Sequence, residues 1–247
     1  MRKSFLLIAF MLISVTICAQ KVVTVAAAAN LRSVFTEIKA KYEKENPTVK
    51  IEVTFGSSGS LVQQILNGAA YDFFMAADKN FPLKLQGKGV TYGKVSTYAY
   101  GKLALWSSTI DVNKGIGVLK ESAVKRIGIA KPETAPYGDR AVELLKKQGL
   151  FDSFNTKIVY GDNISATAQY AFTGNVEVGF IALSLAMAPE MAGKGKCYVI
   201  PQSMYSPIEQ ACVLIKKPVR NLAAEKFMKY ILGNSCDSLW EKYGYSK

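Results

Sequence analysis

Four short stretches place neutral hydrogen-bond donors where an extended segment hands over to a helix. "AAAANL" carries Asn30, "GSSGS" carries Ser57, Ser58 and Ser60, "APYGDRA" carries Tyr137 and Gly138, and "YGDNISA" carries Asp162 and Asn163. The start of a helix leaves backbone N–H groups without partners inside it, at the positive end of the helix dipole. Glycine lets the backbone come close to a ligand, while serine, asparagine and tyrosine add donors of their own. The chemistry such junctions favour is non-covalent capture of an anion. Taken singly, each has a plainer reading. Asn30, Asp162 and Asn163 read as helix caps, the serines as a capped helix entry, and Pro136-Tyr137-Gly138 as an ordinary turn.

Other chemistries are thinly supplied. The chain has no histidine, which removes Ser–His and Cys–His nucleophiles and the commonest metal ligand. An enzyme would have to work with carboxylates such as Asp72 or Asp162, and no nucleophile–base pair accompanies them. Asp72 reads as structural, and Asp78 as the N-cap of the helix that "KNFPLKLQ" begins. Cys197, Cys212 and Cys236 match no metal or redox spacing. One disulfide among them is open, with no pair favoured.

Arg2 and Lys3 precede an apolar run from Phe5 to Ile17, and Ala19 offers a small residue for cleavage before Gln20. This is the order of a secretory signal peptide over residues 1–19. Lipid attachment at Cys18 is the alternative, and Ile17 is a poor residue to precede it. The formal net charge is +12, and loss of the leader lowers it by two. The lysines are scattered rather than massed, which argues against nucleic acid as a partner.

The elements that must hold the donors alternate. "VVTVAAAA" reads as a buried strand, and Leu31, Phe35, Ile38 and Tyr42 form one helical stripe that Pro47 closes. "VKIEVTF", "SLVQQILNGA" and "DFFMAAD" continue as strand, helix and strand. "RIGIAK", "GDRAVELLKKQG", "KIVYG", "SATAQYAFTGN" and "VEVGFIAL" repeat the alternation, which predicts parallel sheets covered by helices. Two long extended stretches, "VSTYAYGKLALWSS" and "CYVIPQSMYSPIEQACVLI", bracket this second series and predict two crossovers between two lobes. The expected division is residues 20–99 and 206–247 for lobe 1 and 100–205 for lobe 2, with a ligand cleft between them.

In order, "VTVAAAANL", "VTFGSSGSLVQQI", "YDFFMAAD", "KPETAPYGDRAVELL", "GDNISATAQYAFTGNVEVGFIALS" and "WEKYGY" resemble the motifs of periplasmic molybdate-binding proteins, the substrate-binding components of molybdate ABC transporters. The resemblance covers nearly all the chain after the leader. It implies the two-lobed α/β type II periplasmic binding fold, and molybdate or tungstate as ligand with no separate cofactor. It also implies a permease and its ATPase as partners, a monomeric protein, a periplasmic location and no enzymatic activity. Sulfate, phosphate or another tetrahedral oxyanion is the nearest alternative ligand. Residue by residue, the resemblance places the oxyanion contacts on Asn30 (with Ala29 beside it), Ser58, Tyr137 and Ile164, the last through its backbone N–H. Two positions depart from the family pattern. Asn30 stands where many members have serine or threonine, and offers its side-chain N–H₂. Ala182 stands where some have a tyrosine, whose hydroxyl Tyr137 would replace.

Overall fold

The computed structural model describes residues 20–247, so the expected leader and Cys18 lie outside the described residues. β1 (Lys21–Ala28), α1 (Arg32–Glu45), β2 (Val49–Gly56), α2 (Ser58–Leu66), β3 (Phe73–Ala76) and α3 (Asn80–Gly87) alternate as their hydrophobic periods require. β4 (Thr91–Gly101) then runs almost directly into β5 (Leu103–Ser107). The chain continues through β6 (Ile127–Ala130), α4 (Pro136–Lys147), α5 (Phe151–Phe154), β7 (Ile158–Gly161), α6 (Ile164–Phe172), β8 (Val178–Ala182), α7 (Leu183–Ala186) and β9 (Lys196–Val199). β10 (Ile208–Ile215) leads back to α8 (Leu222–Leu232) and α9 (Asp237–Lys242).

Two five-stranded sheets result, ordered β2-β1-β3-β10-β4 and β7-β6-β8-β5-β9. They are mixed rather than purely parallel. Three strands in each run parallel, whereas β10 lies antiparallel to β3 and β4, and β5 antiparallel to β8 and β9. The antiparallel pairings arise at the crossovers, whose strands arrive from the other lobe rather than through a local helix. Tyr100–Glu209 and Gly101–Ile208 still pair within the first sheet. The outbound crossing therefore lies at Lys102, past the division expected after residue 99.

Each sheet is covered by its own apolar helix faces. On α1, Phe35, Ile38 and Tyr42 are buried, and Phe35 meets Phe55 and Phe227 edge to face with centroids 5.9 Å apart. Phe227 comes from α8, so the C-terminal segment returns to the first lobe. It does so as two helices broken after Gly233 rather than as one.

Asp72 ties the far end of the first sheet together. It accepts from the Thr24 N–H at 2.8 Å, from the Thr24 hydroxyl at 2.9 Å and from the Lys217 ammonium at 2.7 Å. Burial works against its charge, but Lys217 and the Thr24 donors outweigh it and hold the carboxyl below the usual range. The folded state thus favours the carboxylate. Its contribution is fully present above the unfolded value of about 3.9 and is lost as pH falls through the lower folded value. Asp72→Ala should lower unfolding free energy by about 1–3 kcal/mol at neutral pH, with the difference from wild type shrinking below about pH 4. Urea melts at neutral pH and at pH 3 check both parts.

Candidate anion-binding site

The carboxyl ends of β1, β2 and β3 open toward the second lobe, the usual ligand edge of such sheets. A small cavity lies there, lined by Ala28, Ala29, Asn30, Gly56, Ser57, Ser58, Ala77, Ala135, Pro136, Tyr137 and Ile164. All of these but Gly56 are buried. Asn30, Ser58, Tyr137 and Ile164 are therefore brought together in one place. The first pair comes from lobe 1 and the second from lobe 2.

Each stands at the start of a helix. Asn30 lies in the 3-10 turn that leads into α1, Ser58 opens α2, Tyr137 is the second residue of α4 and Ile164 opens α6. Four first turns, each with N–H groups that have no partner within the helix, border a single cavity. The small side chains of Ala28, Ala29, Ala77 and Ala135 let these backbones come close. Gly138 serves the same end, since a Cβ there would collide with the Ala130 carbonyl and push α4 off β6.

The side-chain donors behave differently from one another. Ser58 Oγ accepts from the Ala77 N–H at 3.0 Å, which leaves its own proton to donate elsewhere. The helix cap in this stretch is Ser57, which accepts from the Ser60 N–H. Asn30 is not a side-chain cap. Its Nδ2 donates to Gln210 Oε1 and to the Tyr245 hydroxyl, both at 2.9 Å. The side-chain N–H₂ expected to serve a ligand is thus engaged within the protein, which leaves the backbone N–H as the remaining donor of Asn30. Tyr137 accepts at its hydroxyl from Gln210 Nε2 at 3.0 Å. Burial holds the Tyr137 and Tyr98 phenols well above their ordinary range, so both remain neutral donors.

No lysine, arginine or carboxylate lines the cavity. Asp162, expected near it, is 80% exposed and paired with Lys131 at 2.6 Å. Asn163 alone caps α6, accepting from the Ala166 N–H at 3.0 Å. Asp78 accepts from the Asn80 N–H at 2.8 Å, one residue ahead of the assigned cap Lys79, and pairs with Arg140 of the other lobe at 3.0 Å. A larger groove beside α1 and α6 is bordered by Arg32, Glu37 and Glu190, and Glu37 is paired with Lys242. Cys197, Cys212 and Cys236 are all free thiols.

The lobes touch around the cavity. Gly59 donates its N–H to the Thr134 carbonyl at 2.9 Å, and the Ser165 and Ser184 hydroxyls donate to the Ala29 and Asn30 carbonyls, each at 2.9 Å. Gln210, Tyr98, Tyr245, Ser184 and Ser165, which support the site, were not evident in the sequence. The one signal for Gln210 was an uncharged polar residue immediately before the apolar run "ACVLI", and a strand offers many such positions.

Residues 23–246 match the family model for bacterial extracellular solute-binding proteins. The chain belongs to that family. It is 39% identical over 225 residues to the molybdate-binding protein ModA of Azotobacter vinelandii, covering 90% of this chain and 89% of that one. Against ModA of Rhodobacter capsulatus it is 35% identical, covering 90% and 87%. Among solved structures, the periplasmic molybdate-binding protein of Azotobacter vinelandii superposes with a TM-score of 0.86 at 30% identity, covering 91% of this chain and 99% of that one. The fold of this solute-binding protein is thus the two-lobed one of its family, and its cavity lies between the lobes.

Proposed function

We propose that this protein binds molybdate between its lobes, outside the cytoplasmic membrane, and delivers it as a monomer to an ABC permease driven by a cytoplasmic ATPase. The observation that carries this reading is the meeting of four helix N-termini in one small cavity whose lining holds no ionisable carboxylate or cation. Such a seat neutralises a dianion with dipoles alone. The names of the relatives support molybdate as the ion. Tungstate, of the same charge and nearly the same size, competes for the seat. The protein is periplasmic, freed from its leader rather than anchored at Cys18, and performs no catalysis.

The donors assigned to the ion are the backbone N–H groups of Asn30, Ser58, Tyr137 and Ile164, with the hydroxyls of Ser58 and Tyr137. Hydrogen bonds to a charged partner contribute about 1.5–3 kcal/mol each. Four to six of them cover the ~8 kcal/mol of a micromolar complex after ordering costs.

Saturating molybdate at about a hundred times its Kd should add about 2.7 kcal/mol to stability and raise the melting temperature. No shift with molybdate or tungstate would contradict the reading. Ser58→Ala should weaken molybdate binding by about 1.5–3 kcal/mol. Because the Ala77 N–H also loses its acceptor, the empty variant should itself be less stable by about 1 kcal/mol. Titration calorimetry and melting of the unliganded variant separate the two effects.

A further inference from the structure

We propose that Gln210 is a positioning residue that aims the Tyr137 hydroxyl proton at the ligand. The proposal rests on the reading of the cavity as a molybdate seat and adds the part that sets one of its donors.

Gln210 lies on β10, the returning crossover strand, and is fully buried. Its Oε1 accepts from Asn30 Nδ2 at 2.9 Å and lies 2.9 Å from the Tyr98 hydroxyl, whose one proton is shared with the Ala76 carbonyl at 3.0 Å, while its Nε2 donates to the Tyr137 hydroxyl at 3.0 Å. One amide thus touches a site residue from each lobe. The contact with Tyr137 also adjoins the outbound crossover. A Cβ on Gly101, the last residue of β4, would collide with both the Tyr137 hydroxyl and the Gln210 amide nitrogen. The contact therefore bridges the lobes beside the two connections between them.

The direction of the protons follows from the partners. Tyr137 oxygen receives an N–H, so its single O–H is not spent on Gln210 and can serve an anion in the cavity that Tyr137 lines. Reversing the Gln210 amide alone would set its N–H₂ against the N–H₂ of Asn30, so the two amides can reverse only together. In the reversed pair Gln210 Oε1 would take the Tyr137 proton and the ligand would lose that donor. Tyr245 opposes reversal by receiving the second Asn30 Nδ2 proton at 2.9 Å while lying within 3.0 Å of the Asn30 carbonyl and Ser184 Oγ. Gln210 is thus set to keep the Tyr137 proton free for the ligand.

A double-mutant cycle on the full protein, read by molybdate titration, tests this. Gln210→Met keeps the length of the side chain and removes both hydrogen-bonding ends. It should weaken molybdate binding about tenfold, as should Tyr137→Phe. The double variant should be no more than about threefold weaker than the weaker single one, because Gln210 acts through the tyrosine hydroxyl. Losses that multiply to about a hundredfold would overturn the role, as would wild-type affinity in Gln210→Met. If melting shows that Gln210→Met does not fold, Gln210→Leu takes its place in the cycle, since it is likewise uncharged and removes both hydrogen-bonding ends. Wild-type protein that takes up no molybdate would overturn the seat itself, and this role with it. Wild-type binding with multiplying losses would overturn only the role of Gln210.

Discussion

Gly59→Val binds molybdate at least about a hundredfold more weakly than wild type, yet melts within a few degrees of it when no ligand is present. Gly59 is in the first turn of α2, one residue past Ser58. An added Cβ would lie 2.9 Å from Thr134 Cα and 3.0 Å from Thr134 Cβ, and Thr134 belongs to the other lobe. Backbone cannot yield as a flexible side chain would, so the lobes must stop short of contact. The backbone of Gly59 has no left-handed dihedral that would require glycine. Valine is a slightly better helix former than glycine, and the nearest atoms an added Cβ meets belong to Thr134 of the other lobe, so the substitution is tolerated once the lobes are apart. Closure does not tolerate it. Overpacking costs about 1–3 kcal/mol, and donors from the second lobe left out of reach forfeit about 1.5–3 kcal/mol each. Paired titration and melting curves check the outcome. Wild-type affinity would mean that Gly59 and Thr134 do not meet in the bound state.

Sulfate and phosphate bind more weakly than molybdate by about two orders of magnitude or more. Sulfate has the same charge and shorter bonds, so donors fixed on four helix starts cannot all reach it once the lobes meet. Phosphate keeps a proton at neutral pH and needs an acceptor. Asp162, the carboxylate of the fourth junction, faces solvent beside Lys131. The lining itself has no carboxylate. A phosphate O–H would be buried without a partner, at about 1–3 kcal/mol on top of any misfit. Tyr137→Phe should narrow the molybdate–sulfate gap, since it removes a donor assigned to the larger ion. Separate titrations with each anion, on wild type and on the variant, decide it.

The alternation of short apolar strands with amphipathic helices was legible in the sequence because 2.0 and 3.6 residue periods leave distinct patterns, as in "VKIEVTF" and the Leu31-Phe35-Ile38-Tyr42 stripe. The strand–helix junctions were legible for the same reason, and small or polar residues marked them. What the sequence could not show was which way a side chain turns after folding. Asn30 stands at the junction it was expected to occupy, but its amide turns to Gln210, 180 residues away, and to Tyr245. Asp162 sits beside Asn163 in the chain, and only the second caps α6. The antiparallel strands of each sheet were likewise hidden. The direction of β5 and β10 is set by the lobe each one leaves, and local composition carries no record of it.

The most direct measurement of the central claim is to locate molybdenum in crystals of the molybdate-bound protein by its anomalous X-ray scattering. The expected result is one strong peak per molecule, inside the cavity bounded by Asn30, Ser58, Tyr137 and Ile164, with the backbone nitrogens of all four and Ser58 Oγ surrounding its oxygens. The contrary result is no peak there from crystals grown in excess molybdate, or a peak confined to another cleft such as the groove beside Arg32 and Met191.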